Sequence, residues 1–287
     1  MAKLLDATVG VESTPIDPVC EGGRRMPSLF VAHGLPSYAL PRYAQENGLK
    51  EAEQYVEMLA SLPSKFCRPK AVVCMSAHWE TQGEGIRVTT AAKPKTIHQF
   101  YGFPQPLYDV QYSALGSPEL ASVVQSLAPE VLSDDEWGFD HGSWTVLVHL
   151  FPRADIPVIE LSVDNAMPAK FYFDLGRKLR PLRDQGILVM GSGSIVHNLR
   201  QLRWGGPAHD WAIAFNAWVK DCVNKKKDET LVNYLAAPGG RQSVPYPDHY
   251  FPFIFALGAA HDDDGREMLI DWIDNGANGM TSFGFGL

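Results

Sequence analysis

The chain has 287 residues, of which 45% are hydrophobic and 20% charged, a composition ordinary for a globular enzyme. Its formal net charge is −8 and it has no extended basic cluster, which argues against nucleic-acid binding because phosphate contacts require a positive footprint. No apolar stretch approaches the length of a membrane span, so no membrane partner is expected.

Residues 1–26 predict a loosely ordered N-terminal extension that lacks the apolar core of a secretory signal. The fold is expected to begin at Pro27, and no repeat, linker or shift of composition divides residues 27–287. The four cysteines have no CxxC spacing and are expected to be reduced thiols. Together these features favour a cytoplasmic location.

Short apolar runs predict buried strands, which cover residues 28–32, 71–76, 157–163 and 187–192. Segments with helical spacing of apolar residues cover residues 50–62, 117–128, 168–182, 209–224 and, after Pro252, 253–260. The segment 280–286 alternates aromatic with small residues and predicts an edge strand. Residues 94–116 and 130–146 are expected to be long irregular loops, which in compact domains are usually functional.

The alternation of strands and helices predicts a single α/β domain. Its central sheet is expected to be mostly parallel or mixed, with helices on both faces. Three histidines lie at or just past the ends of predicted strands: His33, His78 and His197. Because ligands bind beyond the carboxyl ends of parallel strands, these residues predict a metal site at that edge of the sheet. Alone, each is better explained as a hydrogen-bonded loop residue.

Three more histidines, His98, His141 and His249, lie in turn-like segments, and imidazoles beside carboxylates suit iron, zinc, copper or nickel. Asp140 precedes His141 and could hold a ring N–H, but a turn carboxylate that accepts backbone N–H groups explains it equally well. The stretch Gly191–Ser194 lacks the spacing of a nucleotide-binding loop. It favours a tight turn where the backbone approaches the metal pocket.

Six motifs, in order along the chain, resemble the LigB superfamily of extradiol ring-cleavage dioxygenases, in particular its 4,5-DOPA-dioxygenase-like branch. The motifs are Val31-Ala32-His33-Gly34, Ser76-Ala77-His78-Trp79, Gly102-Phe103-Pro104, Gly138-Phe139-Asp140-His141-Gly142-Ser143-Trp144, Val196-His197-Asn198-Leu199 and Pro247-Asp248-His249-Tyr250. The resemblance implies an α/β catalytic domain over residues 27–287.

The resemblance also implies a mononuclear Fe(II) site, often found holding Zn(II), with His33, His78 and His249 as ligands. His197 would be a fourth ligand or the acid/base, and His141 would orient substrate and dioxygen. The implied substrate pocket contains Leu35, His98, Tyr101, Phe103, Asp140 and Trp144, with Phe100 as a further wall residue. For the aromatic members, ordinary core packing is an equally good explanation.

Two segments depart from the family's usual motifs. Where HGSP is common this chain has His33-Gly34-Leu35-Pro36, and where IHDF is common it has Ile97-His98-Gln99-Phe100. Both changes affect the identity of the substrate, but they leave every implied metal ligand in place.

The hypothesis from the sequence is a non-haem Fe(II)-dependent extradiol dioxygenase that opens the ring of a catechol, DOPA-like or other, with O₂. A bound cation lowers the pKa of a coordinated hydroxyl, and His197 can take the second phenolic proton and return it later. The alternatives are a zinc-binding hydrolase or inactive relative of the same fold, and a plain binding or scaffold protein. The sequence leaves the oligomeric state open.

Overall fold

The computed structural model describes residues 25–287, and residues 1–24 of the predicted N-terminal extension lie outside the described residues. The strands are β1 (Ser28–Ala32), β2 (Ala71–Glu80), β3 (Arg87–Thr89), β4 (Leu132–Asp134), β5 (Val158–Val163), β6 (Ile187–Gly193), β7 (Arg266–Ile270), β8 (Ile273–Asp274), β9 (Asn278–Gly279) and β10 (Ser282–Phe285).

The α-helices are α1 (Pro41–Glu46), α2 (Ala52–Ser61), α3 (Gln105–Tyr108), α4 (Pro118–Leu127), α5 (His141–Leu150), α6 (Ala169–Leu179), α7 (Pro181–Asp184), α8 (Asp210–Asn224), α9 (Asp228–Val232), α10 (Gly240–Ser243) and α11 (Phe251–Gly258). Short 3₁₀ helices cover Pro36–Ala39, Leu62–Lys65, Leu199–Gln201 and Tyr234–Ala236. Within residues 25–287, no helix is both long and apolar enough to cross a bilayer.

The central sheet has the strand order β4-β3-β5-β2-β6-β1-β10-β7, and β8 and β9 form a separate two-stranded ladder. Its four central strands, β5, β2, β6 and β1, are mutually parallel. The outer strands introduce antiparallel pairs, β3 with β5 on one side and β1 with β10 and β10 with β7 on the other. The predicted single α/β domain with a mixed central sheet is confirmed.

Both faces of the sheet are covered, which explains why the central strands read as continuous apolar runs. In β2, Val73 and Met75 point into a core shared with α6 and α11, whereas Val72 and Cys74 point into a second core shared with α2 and α5. Alternate side chains of a strand face opposite sides, so each strand contributes to both cores. The expectation of helices on both faces is therefore confirmed.

Three details of the sequence interpretation require correction. The predicted edge strand at the C-terminus, β10, lies between β1 and β7, and β7 occupies that edge instead. Residues 130–146 are not one irregular loop, because they contain β4 and the first turns of α5. α5 is buried on nearly every side, so its sequence shows no amphipathic period from which a helix can be predicted. β2 also extends four residues beyond its predicted end.

The cysteines differ from one another in state. Cys74 and Cys222 are free and buried, as expected for small apolar side chains. Cys67 is disulfide-bonded, so the expectation of reduced thiols does not hold for this residue.

A buried arginine connects the segments beside β1, α11 and β10. Arg183 is completely buried, and its Nη1 donates to Asp264 Oδ2 at 2.6 Å and to the Ala259 carbonyl at 2.7 Å. Its Nε donates to the Met26 carbonyl at 2.7 Å and its Nη2 to the Phe285 carbonyl at 3.2 Å. One side chain therefore fixes the entry to β1, the end of α11 and the end of β10.

Arg183→Ala is expected to lower the free energy of unfolding by about 3–5 kcal/mol, because it removes the buried cation at 2.6 Å from the Asp264 carboxylate and leaves only Arg25 at 3.5 Å. Denaturant-induced unfolding measures this loss. Arg153→Ala is the control, since Arg153 forms a half-exposed ion pair with Asp155, and its effect is expected to stay below about 1 kcal/mol. Equal effects for the two variants would contradict the anchoring role.

Candidate metal centre

Neighbouring parallel strands bring the first histidines together. β6 lies between β1 and β2 and is parallel to both, so the carboxyl ends of all three strands meet at one edge of the sheet. His33 directly follows β1, and His78 lies near the end of β2. Their rings face each other with Nε2 atoms 3.0 Å apart. The predicted position at the strand ends holds for both residues.

His249 reaches the same place because glycines in β6 permit a close backbone approach. A Cβ at Gly193 would lie 2.2 Å from the His249 carbonyl oxygen, and a Cβ at Gly191 would lie 2.0 Å from the Pro252 carbonyl. The Ser194 N–H donates to the His249 carbonyl at 2.9 Å. Any larger residue would push the segment before α11 away. The glycine-rich stretch therefore lets the backbone approach the pocket, as predicted.

The three rings form a donor set that suits a metal ion. Nitrogen atoms of His33, His78 and His249 all lie within 4.8 Å of one another. The Nε2 atom of His249 is buried and has no hydrogen-bond partner among the described residues. A buried polar atom without a partner requires an explanation, and a bound ion supplies one. Three imidazoles with further positions left open are typical of catalytic zinc sites, and imidazole also suits iron, copper and nickel.

Hydrogen bonds on the far side of two rings set their tautomers. The Ser192 hydroxyl donates to the Gly142 carbonyl at 2.5 Å, so its oxygen accepts from Nδ1–H of His33 at 2.9 Å. Nδ1–H of His249 donates to Asp248 Oδ2 at 2.7 Å. Each bond leaves Nε2 unprotonated, with its lone pair directed into the cluster.

Burial keeps these rings neutral. It lowers the pKa of His78 and of His249 to about 3, and it lowers the pKa of His33 well below the ordinary value. The neighbouring histidines add to the effect on His33, because protonated rings would repel one another. Neutral imidazole is the form that binds metals, so the metal-free cluster is already in its ligating state.

His197 and His141 complete a cluster of five rings. The His197 ring stacks on that of His249 with centroids 3.4 Å apart, and His197 forms a second group of possible metal-binding atoms with Asp248 and His249. The His141 ring lies 3.7 Å from that of His78, at the first residue of α5. Nδ1 of His141 is buried without a partner among the described residues. Both residues therefore border the space next to the donor set.

Aromatic residues continue from His141 toward the surface. The Phe100 ring lies 5.5 Å from that of His141 and 5.3 Å from that of Phe103. Trp144 is buried, and its Nε1 donates to the Ile97 carbonyl at 3.0 Å while its ring packs on His98. These residues form one aromatic side of the cluster.

Three predicted pocket residues lie in different surroundings. Tyr101 is 91% exposed, and Leu35 is half-buried against the core that contains α2 and α5. Asp140 is completely buried and caps α5, where Oδ1 accepts from the backbone N–H groups of Gly142 and Ser143. Of the two interpretations offered for Asp140, the structure therefore supports the carboxylate that accepts backbone N–H groups. The carboxylate that accepts a histidine ring N–H is Asp248, which bonds His249.

The sequence interpretation did not identify Ser192 as a partner of His33. The signal lies in the register of the sheet, since Ser192 pairs with Val31 two residues before His33. Glu160 was also overlooked, although a single carboxylate inside the apolar strand β5 is a visible anomaly.

Comparisons with known proteins agree with this geometry. The sequence pattern of a family described as "Catalytic LigB subunit of aromatic ring-opening dioxygenase" matches residues 27–286. The chain belongs to this family. The predicted relationship to LigB-type extradiol dioxygenases, and with it the predicted class of aromatic ring-opening enzyme, is confirmed.

Individual relatives extend the match over most of the chain. The chain is 43% identical to a protein of Escherichia coli (strain K12) named 4,5-DOPA dioxygenase extradiol, over 91% of this chain and 95% of the relative. A protein of the same name from Beta vulgaris is 34% identical, over 90% and 96%. The crystal structure of an uncharacterized protein from Escherichia coli K12 superposes with a TM-score of 0.74 at 37% identity, covering 91% of this chain and all of that one.

Asp248→Asn is expected to weaken metal binding by about ten- to a hundredfold, because the neutral amide holds Nδ1–H of His249 less strongly than the carboxylate does. Competition with a chelator measures this loss. Asp135→Asn, which removes the same charge from an exposed loop, is expected to leave metal affinity unchanged. Equal affinity in wild type and Asp248→Asn would rule out the orienting role.

The metal-free protein is expected to lose stability as the pH falls from about 6.5, the ordinary histidine value, toward 3. Over this range the unfolded chain binds protons at His78 and His249, whose pKa values in the fold are about 3. Unfolding followed between pH 7 and pH 4 in the presence of a chelator tests this. His78→Gln is expected to reduce the pH dependence of the free energy of unfolding. An unchanged pH dependence in this variant would contradict the prediction.

Proposed function

We propose that the chain is a non-haem Fe(II)-dependent extradiol dioxygenase that opens the ring of a catechol with O₂. The observation that carries this proposal is the group of three neutral histidines, His33, His78 and His249, with nitrogen atoms within 4.8 Å of one another. Family membership and the printed names of the relatives support the reaction class.

The same three histidines would hold the metal. When bound, Fe(II) supplies a positive charge that favours an ionised catechol hydroxyl and the redox capacity to use O₂. Zn(II) fits the same nitrogen donors as a substituted metal, but it has no redox chemistry. The donor set carries no charge of its own, so binding of an anionic substrate oxygen is favoured electrostatically.

His197 would act as the acid/base. Burial and the neighbouring His249 keep its pKa well below the ordinary value, so its ring is neutral in the metal-free protein. The carboxylate of Asp248 opposes this shift and stabilises the protonated form once it exists. His197 would take the second phenolic proton of the catechol and return it later in the reaction.

His141 and Phe100 would position the substrate ring. His141 Nδ1 is a buried polar atom that has no partner within residues 25–287, and it is available to a substrate or dioxygen oxygen. The Phe100 ring stands beside His141 and offers an apolar surface that excludes water.

A cleft of about 360 Å³ leads from His197 and Asp248 to the surface. Arg200 and Glu80 lie on its walls, together with Tyr246 and the half-buried Asn165. Opposite charges at the opening suit a catechol whose side chain is itself polar. DOPA, the substrate named in several relatives, has such a side chain, and we propose a catechol of this kind.

Reconstitution tests the proposal directly. Metal-free protein is loaded with Fe(II) under anaerobic conditions, mixed with DOPA, dihydroxyphenylpropanoate or 4-methylcatechol, and then exposed to air. A yellow ring-opened product and uptake of O₂ are expected for at least one of these catechols. The Zn(II)-loaded protein is the control and should consume no O₂. If neither form consumes O₂ with any catechol, the dioxygenase proposal fails and the hydrolase alternative gains support.

His197→Gln is expected to lower kcat by about 10²–10⁴-fold while the metal content stays at the wild-type level, because an acid/base acts on the proton and not on the metal. Steady-state kinetics and metal analysis of the same sample measure both. His209→Gln, at a histidine that bonds the Gln201 carbonyl, is expected to retain wild-type activity. A parallel loss of metal in His197→Gln would make His197 a fourth ligand.

A further inference from the structure

The carboxyl groups of Asp140 and Glu160 lie within hydrogen-bond reach of each other in the protein interior. Asp140 and Glu160 are both completely buried, one at the first turn of α5 and the other in the middle of β5. No lysine, arginine or histidine pairs with either one among residues 25–287. Two ionised carboxylates in such surroundings would repel each other strongly.

The hydrogen-bond donors around the pair are unevenly distributed. Asp140 Oδ1 accepts from Ser76 Oγ at 2.6 Å, from the Gly142 N–H at 2.9 Å and from the Ser143 N–H at 3.3 Å. Glu160 Oε1 accepts from Trp137 Nε1 at 3.0 Å. Asp140 Oδ2 and Glu160 Oε2 are buried and lack a donor among the described residues. A single proton between these two oxygens would satisfy both.

We propose that Glu160 is a neutral carboxylic acid that donates its proton to Asp140, and that it thereby acts as a positioning residue for His141. The donors assign the proton to Glu160, because Asp140 Oδ1 accepts three hydrogen bonds while Glu160 is approached by Trp137 Nε1 and the Ser143 hydroxyl. The raised pKa of Glu160, caused by burial and then by the charge and hydrogen bond of Asp140, agrees with this assignment.

The bond matters for the site because Asp140 connects α5 to β2. Its Oδ1 caps the helix that begins with His141 and holds Ser76, two residues before His78. The packing there is close, since a Cβ at Gly142 would lie 2.5 Å from Ser76 Oγ and 3.1 Å from the His78 ring. A rotation of Asp140 would therefore move His141 against His78. The catalytic part of this inference rests on the proposed function, but the shared proton does not.

Glu160→Gln and Glu160→Ala separate the proposal from a purely steric role. The amide of the first variant donates to Asp140 and accepts from Trp137, as the acid does, so most of the wild-type kcat is expected to remain. Glu160→Ala loses both bonds, and kcat is expected to fall by about a hundredfold because His141 is misplaced. Metal content should be retained in both. An equal loss of activity in the two variants would overturn the proposal.

The stability of Glu160→Gln relative to wild type gives a second readout that needs no activity. In the fold, Glu160 of the wild type keeps its proton, whereas in the unfolded chain the same residue loses its proton above the ordinary glutamate pKa. The free energy of unfolding of the wild type therefore falls as the pH rises toward the raised pKa of Glu160 in the fold. The glutamine variant has no such proton and is expected to gain relative stability from pH 5 to pH 8. A difference that is independent of pH would overturn the proposal.

The other titratable groups that face Glu160 are the same in both proteins. They are Asp140 at the start of α5 and Cys74 on β2, and burial raises the pKa of Cys74 so that it stays neutral over this range.

Infrared spectroscopy completes the test, because wild type should show the carbonyl stretch of a protonated acid that Glu160→Gln lacks. If neither the wild type nor the Glu160 variants turn over a catechol, the proposed function fails. The stability and infrared results still decide whether Glu160 shares a proton with Asp140.

Discussion

The pairing of β6 with β1 on one side and β2 on the other is the constraint on which the site depends. Because the three strands are parallel, their carboxyl ends meet, and His33 and His78 face each other from neighbouring positions. β6 itself contributes no ligand; it supplies two glycines that let the segment of His249 come close, and Ser192, which holds His33. The middle strand β6 therefore positions functional residues that lie on neighbouring segments.

Much of this arrangement is visible in the sequence because its signals are local. An apolar run that ends at a histidine identifies His33 and His78, and alternating strands and helices identify the fold class. The glycine-rich end of β6 was correctly interpreted as a place of close backbone approach. These features depend on the residues within one segment, and such features can be predicted without knowing which segments meet.

The features that could not be predicted depend on pairing between distant segments. β10 has the alternation of aromatic and small residues that predicts an edge strand, but β7 pairs with its outer side. Nothing in the sequence of residues 280–286 indicates that β7 is its neighbour. α5 has no amphipathic period because both the sheet and α2 bury it. The role of Ser192 requires the register of β6 against β1. In each case the deciding contact is with a residue far away in sequence.

The tautomers set by Ser192 and Asp248 have a consequence for how the centre is filled. A rigid cage of neutral nitrogens requires little reorganisation, and it accepts several divalent ions of similar size. Intrinsic affinity for nitrogen donors rises from iron to zinc, so such a cage does not by itself prefer the redox-active ion. Which ion occupies the centre in a living cell is then governed by supply, and under the proposed iron-dependent function a shift in the iron-to-zinc ratio would change the active fraction without altering the amount of protein.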